Sequence, residues 1–529
     1  MLKGFQVKMM RRFGSLLASS KVSKQPLLVL ERSLSAYLVT TNHSHQPRFF
    51  SAQPNRIPFK NDYDQQSHDG VEPSTGIRVV SIQNVKPEKP TPDNLRSYKL
   101  SALDQIHSPS YVPFIFFYRN NINNGSKTDT VSERSKLLKQ SLSETLTRFY
   151  PFAGKFIDDN HIDCNDEGVY YTETQVDVDL SSFLAKPDYK LLQQLLPMPP
   201  NSQKPTRGFY LVMIQVNFFS CGGVAISMCN FHKLIDGNTY ITFLNAWASA
   251  TKGGQLQQNM VYPNFVSSSL FPQNTQPPTY PSFPVSSMAV WPSLLKKGKH
   301  STKRFLFDVS AIHELKAKAT EESVSSTRVV AVASLIWKCA TIAARKQHGA
   351  ERPSVLQVAV NLRGKFAPPL PQNAIGNIIW NTVAKCAESN SNLSLGTMVG
   401  HIKDGIARID TRFAEQFKGE QGSATVINEL KRLGLQLSNF DADYYSFSSM
   451  CKSGVYEADF GWGRPVWSCY ANLGNDIPIY LNAILLMDTS TGDGVEAWVT
   501  LSQEEMDIFE HDPELLLYAS IEPSPLLHC

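Results

Sequence analysis

The chain has 529 residues, 42% of them hydrophobic, with 51 Lys plus Arg against 47 Asp plus Glu and a formal net charge of +4. So small a charge on so apolar a chain excludes a disordered polyelectrolyte, and 32 Pro with 29 Gly in no triplet period exclude a collagen-like fibre. The length suffices for several domain-sized units with substantial cores.

The charge is unevenly spread. Residues 1–60 carry ten basic side chains (Lys3, Lys8, Arg11, Arg12, Lys21, Lys24, Arg32, Arg48, Arg56, Lys60) and one acid, Glu31. The remainder is mildly acidic and gives no support to a nucleic-acid-binding role. Phe5, Met9, Phe13 and Leu17 recur at i, i+4 spacing, while Lys8, Arg11, Arg12 and Ser15 fall largely elsewhere on the wheel. That is a basic amphipathic helix of the import type. The apolar run Pro26–Leu30 is too short for a secretory-signal core or a membrane span. Arg48-Phe49-Phe50-Ser51 resembles the arginine–aromatic pattern cut by the mitochondrial processing peptidase. Residues 1–72 are therefore expected to be a targeting presequence or disordered extension, with cleavage after Phe50 and a mitochondrial destination. The bland alternative is an unselected upstream extension, or a wrongly chosen start codon, on a cytoplasmic protein.

From Ile77 the chain reads as an α/β mixture. Ile77–Val85 alternates like a strand, Phe114–Tyr118 is a short apolar run, and Lys136–Phe149 is amphipathic until Pro151 stops it. Phe209–Phe218 and Gly223–Phe231 are strand candidates, and Asn238–Ala250 is a helix ended at Gly253-Gly254. Residues 255–300, rich in Pro and Ser, read as a linker running over a surface. The basic cluster at its end (Lys296, Lys297, Lys299, Lys303, Arg304) reads as a solvated charge run in preference to a phosphate-binding patch. Beyond it come an apolar helix Arg328–Arg345, a strand Val355–Asn361, and strands Tyr480–Met487 and Glu496–Leu501 around the turn signal Gly492-Asp493-Gly494. A last helix is Glu504–Phe509. The units expected are residues 73–254, the linker 255–300, and residues 301–529.

All eight Cys lie in the body; no C-x-x-C occurs and no Cys/His set has zinc spacing, so reduced thiols and no metal are expected. No phosphate-binding G-x-x-x-x-G-K-[ST] is present. Of twelve His, only His232 has Asp four residues on, in His232-Lys233-Leu234-Ile235-Asp236-Gly237. The spacing alone is weak. Its context is better: His232 ends an apolar strand and Gly237 opens a helix, so the imidazole stands at an edge a ligand can reach. There it can accept a proton near neutral pH. A satisfied histidine beside a helix cap is the competing reading. Asp459-Phe460-Gly461-Trp462-Gly463 is a tight irregular segment around a rigid indole, equally readable as an ordinary aromatic turn.

Together these two segments resemble the hallmarks of the plant BAHD acyl-CoA-dependent acyltransferases, H-x-x-x-D-G and D-F-G-W-G. Leu138–Gly154, Thr327–Lys338 and Val360–Asn377 resemble the family's intervening segments in order, so the likeness spans about residues 75–525. Within the family the body is most similar to the group containing vinorine synthase and the acylsugar acyltransferases. The resemblance implies a two-domain, chloramphenicol-acetyltransferase-like α/β fold with mixed sheets, flanking helices and a long crossover loop. It implies a monomer without a membrane span or permanent cofactor, which uses acyl-CoA as co-substrate and a small-molecule alcohol or amine as acceptor. His232 maps to the general base, acting in a ternary complex without an acyl-enzyme. Asp236 maps to a structural aspartate that pairs with an arginine, for which Arg363 is the candidate. Asp459, Phe460, Gly461, Trp462 and Gly463 map to an architectural loop.

Two positions depart from the family. Where many members carry Ser-Trp, with an indole N–H for the oxyanion, this chain reads Ser448-Ser449-Met450. Met has no such donor, which leaves Ser449 or backbone amides as candidates. Phe231 stands where Ser or Asn is common, and it argues against a peptide-synthetase-type condensation enzyme, which expects His there. A non-catalytic binding or regulatory homologue is the remaining alternative.

Overall fold

The computed structural model describes residues 76–528 apart from 108–109, 121–130, 157, 159, 198–209, 254–260, 274–293, 323, 438–440 and 472–478. The presequence reading lies outside the described residues. The strands of the two large sheets are, in chain order, β1 (Ile77–Val85), β2 (Tyr111–Tyr118), β3 (Val169–Val176), β4 (Val212–Phe219), β5 (Val224–Phe231), β6 (His300–Phe307), β7 (Ser354–Asn361), β8 (Ile379–Cys386), β9 (Asp443–Ser449), β10 (Trp467–Tyr470), β11 (Ala483–Asp488), β12 (Val495–Ser502) and β13 (Ser520–Ile521). The principal helices are α1 (Val131–Arg148), α2 (Gly237–Thr251), α3 (Val309–Glu321), α4 (Arg328–His348), α5 (Leu395–Ala407), α6 (Gly422–Gln436) and α7 (Gln503–Phe509).

The first sheet has the order β1–β3–β4–β5–β2–β10 and the second β8–β7–β9–β11–β12–β6–β13, both mixed parallel and antiparallel. Strands β4 and β5 are buried at every residue, which explains why they read as continuous apolar runs and not as alternating ones. Each large sheet has its own hydrophobic core. One gathers around Phe116, Trp247 and Phe460, the other around Trp337, Leu356 and Phe509.

Helix termini follow local chemistry. Asp236 caps α2 by accepting from Thr239 N, and Thr327 caps α4 by accepting from Val330 N. Gly349, at φ 65°, closes α4 in the left-handed region that favours glycine.

Two expectations change. The sequence places residues 301–529 together, yet β10 leaves that half to pair with β2, Trp467 lying opposite Phe117. Its anchor is polar and buried: Trp467 Nε1 donates to Glu496 Oε2 at 3.2 Å, while Arg304 Nη1 donates to Glu496 Oε1 at 2.8 Å. The basic cluster is a solvated run only in part, at the exposed Lys297 and Lys299. Lys296 pairs with Glu505, Lys303 with Glu510 and Arg304 with Glu496, acids of the C-terminal segment that meet these cations only in the folded chain. The described part of the Pro-rich stretch is docked as well: Ser267 and Phe271 are buried, and Asn264 bridges Ala374.

Among the described residues no helix is long and apolar enough to cross a membrane, and no disulfide joins the seven described cysteines.

Candidate active site

Strand β5 delivers His232 to a tight turn before α2. Of the turn residues Phe231–Asp236, every one is buried except His232, which is half-buried. Its backbone N–H donates to Ser110 O at 2.8 Å, and Lys233, buried beside it, donates from Nζ to Gln105 O at 2.8 Å. The turn is thus closely packed and tied by hydrogen bonds, with one imidazole left accessible.

Asp236, by contrast, is buried. Arg363 grips it at two points, Nη1 to Oδ2 at 2.8 Å and Nη2 to Oδ1 at 3.2 Å, and both side chains are fully enclosed. The remaining guanidinium donors reach Ala374 O, Gly376 O and Thr239 Oγ1. The aspartate is equally satisfied, since it also accepts from Thr239 N and Ile378 N. Gly237 is the first residue of α2, and a Cβ there would meet Met450 Sδ at 2.4 Å. Met450 thus packs against the start of α2, which brings the end of β9 close to the His232 turn.

Ser449 is exposed, and its hydroxyl accepts from Cys451 N at 3.1 Å. Among the described residues no hydrogen bond joins it to His232.

The Asp459–Gly463 loop is built around its own carboxylate. Asp459 Oδ1 accepts from both Gly461 N and Gly463 N at 2.9 Å, and Oδ2 accepts from Lys252 at the end of α2. Gly461 and Gly463 sit at φ 105° and 108°, which side-chain-bearing residues avoid. Burial works to raise the Asp459 carboxyl, but Lys252 and the two amides outweigh it and hold it below the usual range. Phe460 packs edge-on to Trp247 and Tyr118, and Trp462 stacks on Phe460. The loop touches α2 and β2, and no hydrogen bond links it to His232 among the described residues.

Three residues at the site escaped the sequence reading. Asn377 meets His232 twice, through Oδ1 to Nδ1 at 3.1 Å and through Nδ2 to the His232 carbonyl at 2.7 Å. Asp104, fully buried, accepts from Asn377 N at 2.7 Å and from Ser101. Burial raises its carboxyl to about 6 despite those donors. His107, also buried, lies parallel to the His232 ring at a centroid distance of 5.4 Å. Burial, then the proximity of His232 and Lys233, push its protonation well below the usual range. The motif spacing around His232 carries no trace of them; Asn377 entered only as the last residue of a segment that resembled the family.

Comparison with known proteins identifies the family and the fold. The Transferase family model matches residues 76–516. Limonoid 7-O-acetyltransferase of Citrus sinensis is 37% identical over 462 residues, covering 85% of this chain and 99% of the relative. The crystal structure of vinorine synthase superposes with a TM-score of 0.68 at 32% identity, covering 84% of this chain and 98% of that one. F. graminearum TRI101, solved with coenzyme A and T-2 mycotoxin, shares the fold at a TM-score of 0.60 and 17% identity, covering 80% and 99%. The chain belongs to the Transferase family, the BAHD acyltransferases.

Proposed function

We propose that this acyltransferase moves an acyl group from acyl-CoA to a hydroxyl, or an amine, of a plant specialised metabolite, with His232 as general base in a ternary complex. The observation that carries the reading is the exposure pattern of the turn: His232 alone keeps an accessible side chain between Phe231 and Asp236. The names of the relatives, an O-acetyltransferase among them, support the reaction class.

In the reaction, an imidazole nitrogen of His232 takes the acceptor proton as the acceptor oxygen or nitrogen attacks the thioester carbon. A bond to that carbon forms, the carbonyl electrons move to oxygen, and a tetrahedral oxyanion results. Its collapse restores the carbonyl and breaks the C–S bond. The CoA thiolate then recovers the proton from the imidazolium, and the base is neutral again. Cys229, buried in β5 with its thiol pushed up to about 12, is a poor nucleophile, in keeping with direct transfer. The Asp236–Arg363 pair and the Asp459–Gly463 loop hold the turn and helix α2; neither touches the reacting atoms in this mechanism.

The test is His232→Ala assayed for thiol release from acetyl-CoA and longer acyl-CoAs with a panel of plant alcohols and amines. Wild-type protein releases thiol with at least one acceptor, and the variant, still folded and binding CoA, does not. Retained turnover in the variant refutes the base. For the N-terminal segment we propose a cleaved presequence, tested by organelle import and N-terminal sequencing; a mature protein that begins near Met1 refutes it.

A further inference from the structure

We infer that Asn377 is the positioning residue of the active site: its carboxamide forces His232 into the tautomer that carries hydrogen on Nδ1 and leaves Nε2 bare. This deepens the reading of His232 as base and rests on it for its catalytic meaning, though not for the tautomer itself.

Donor and acceptor chemistry fixes which way the carboxamide faces. The His232 carbonyl can only accept, so the Asn377 atom that faces it at 2.7 Å must be the amide NH2. The other carboxamide atom is then oxygen, which can only accept, and it lies 3.1 Å from His232 Nδ1. A neutral imidazole has one N–H. Nδ1 must carry it, and the lone pair available for an acceptor proton is on Nε2.

The carboxamide has little freedom to rotate out of this arrangement. Asn377 is completely buried, and three consecutive amides of its segment are tied to three different side chains. Gly376 N donates to Thr239 Oγ1 at 3.1 Å, Asn377 N to Asp104 Oδ1 at 2.7 Å, and Ile378 N to Asp236 Oδ2 at 3.1 Å. Thr239 and Asp236 belong to the start of α2, and Asp104 comes from the N-terminal segment Ser101–Gln105. The Asp236–Arg363 pair therefore does more than hold the turn: through Ile378 it fixes the neighbour of the residue that orients the base.

The same contact serves both halves of the cycle. Nδ1–H remains donated to a neutral oxygen when Nε2 is protonated, so the imidazolium forms without a change of hydrogen-bond partner. A carboxylate in that place would hold the proton more tightly and slow its return to the thiolate.

The first test needs no variant. In protein labelled with 15N-histidine at neutral pH, the His232 signal, assigned by its loss in His232→Gln, should show a protonated Nδ1 and a bare Nε2. An Nε2–H tautomer overturns the inference. The second test is Asn377→Leu, of similar size and without either hydrogen bond. Expected is a fall in kcat on the order of 100-fold, with KM for acyl-CoA changed by less than about three-fold, and a mixed tautomer signal. Wild-type kcat in this variant also overturns it. If Asn377→Leu fails to fold, the wild-type tautomer measurement still decides. The two readings fail separately: turnover in His232→Ala removes the base while leaving the tautomer result standing, whereas an inactive His232→Ala with a fully active Asn377→Leu removes only Asn377.

Discussion

Arg363 and Asp236, 127 residues apart in the chain, close a two-point ion pair in a space that excludes water. Removing one partner strands the other charge in that space. Asp236→Ala is expected to cost about 3–5 kcal/mol in urea unfolding, and its loss of activity should follow its loss of folded protein. Asp236→Asn combined with Arg363→Met should cost clearly less than the sum of the single changes. Additive costs would mean that the pair is not coupled.

The buried neighbours of His232 carry opposite pH signatures. Asp104, raised to about 6 from an ordinary 3.8, binds its proton more tightly folded than unfolded. Its contribution to stability is therefore present at low pH and is lost as pH rises through that interval, by roughly 3 kcal/mol at 1.36 kcal/mol per unit. His107 is lowered, chiefly by burial, so the unfolded chain takes up a proton that the folded one refuses. Stability from this group falls as pH drops below about 6.5. Thermal melts of Asp104→Asn and His107→Phe between pH 4 and pH 7.5 should deviate from wild type in opposite directions. Parallel curves for all three proteins would sink the assignment.

Asp459 organises a loop and not the chemistry. Asp459→Ala leaves the amides of Gly461 and Gly463 and the Lys252 ammonium without their acceptor. A loss of about 1–3 kcal/mol is expected, together with loosening of the Phe460–Trp462 stack. Measured per folded molecule, kcat should remain within a few-fold of wild type. A 100-fold drop in a fully folded variant would give the loop a direct catalytic part.

Glu496 serves two strands at once, accepting from Arg304 of β6 and from the Trp467 indole of β10. Glu496→Gln keeps the shape and removes the charge that faces a buried guanidinium. The expected cost is about 3–5 kcal/mol, with a shift in tryptophan fluorescence, because Trp467 and Arg304 must then share one acceptor oxygen where the carboxylate offers two. Unchanged stability would mean that the pair is not what seats β10.

What the chain discloses by itself is local. The apolar runs of β4 and β5, the periodicity of α4 and the cap at Thr327 are written in neighbouring residues, so strand and helix spans are legible to within a few positions. The same holds for His232-Lys233-Leu234-Ile235-Asp236 and for Asp459–Gly463, whose residue types and spacing point to a strand-end histidine and a glycine-lined turn. Arg363 was reachable only through family resemblance, because nothing near it names its partner. Folding decides the rest. The contact of Asn377 with His232 spans 145 residues and leaves no periodic mark, and the pairing of Lys296, Lys303 and Arg304 depends on acids some 200 residues away. A polar side chain reads as solvated until its partner is known. Whether His232 keeps its lone pair on Nε2, and why β10 abandons its own half of the chain, are set by groups that meet only when the backbone closes.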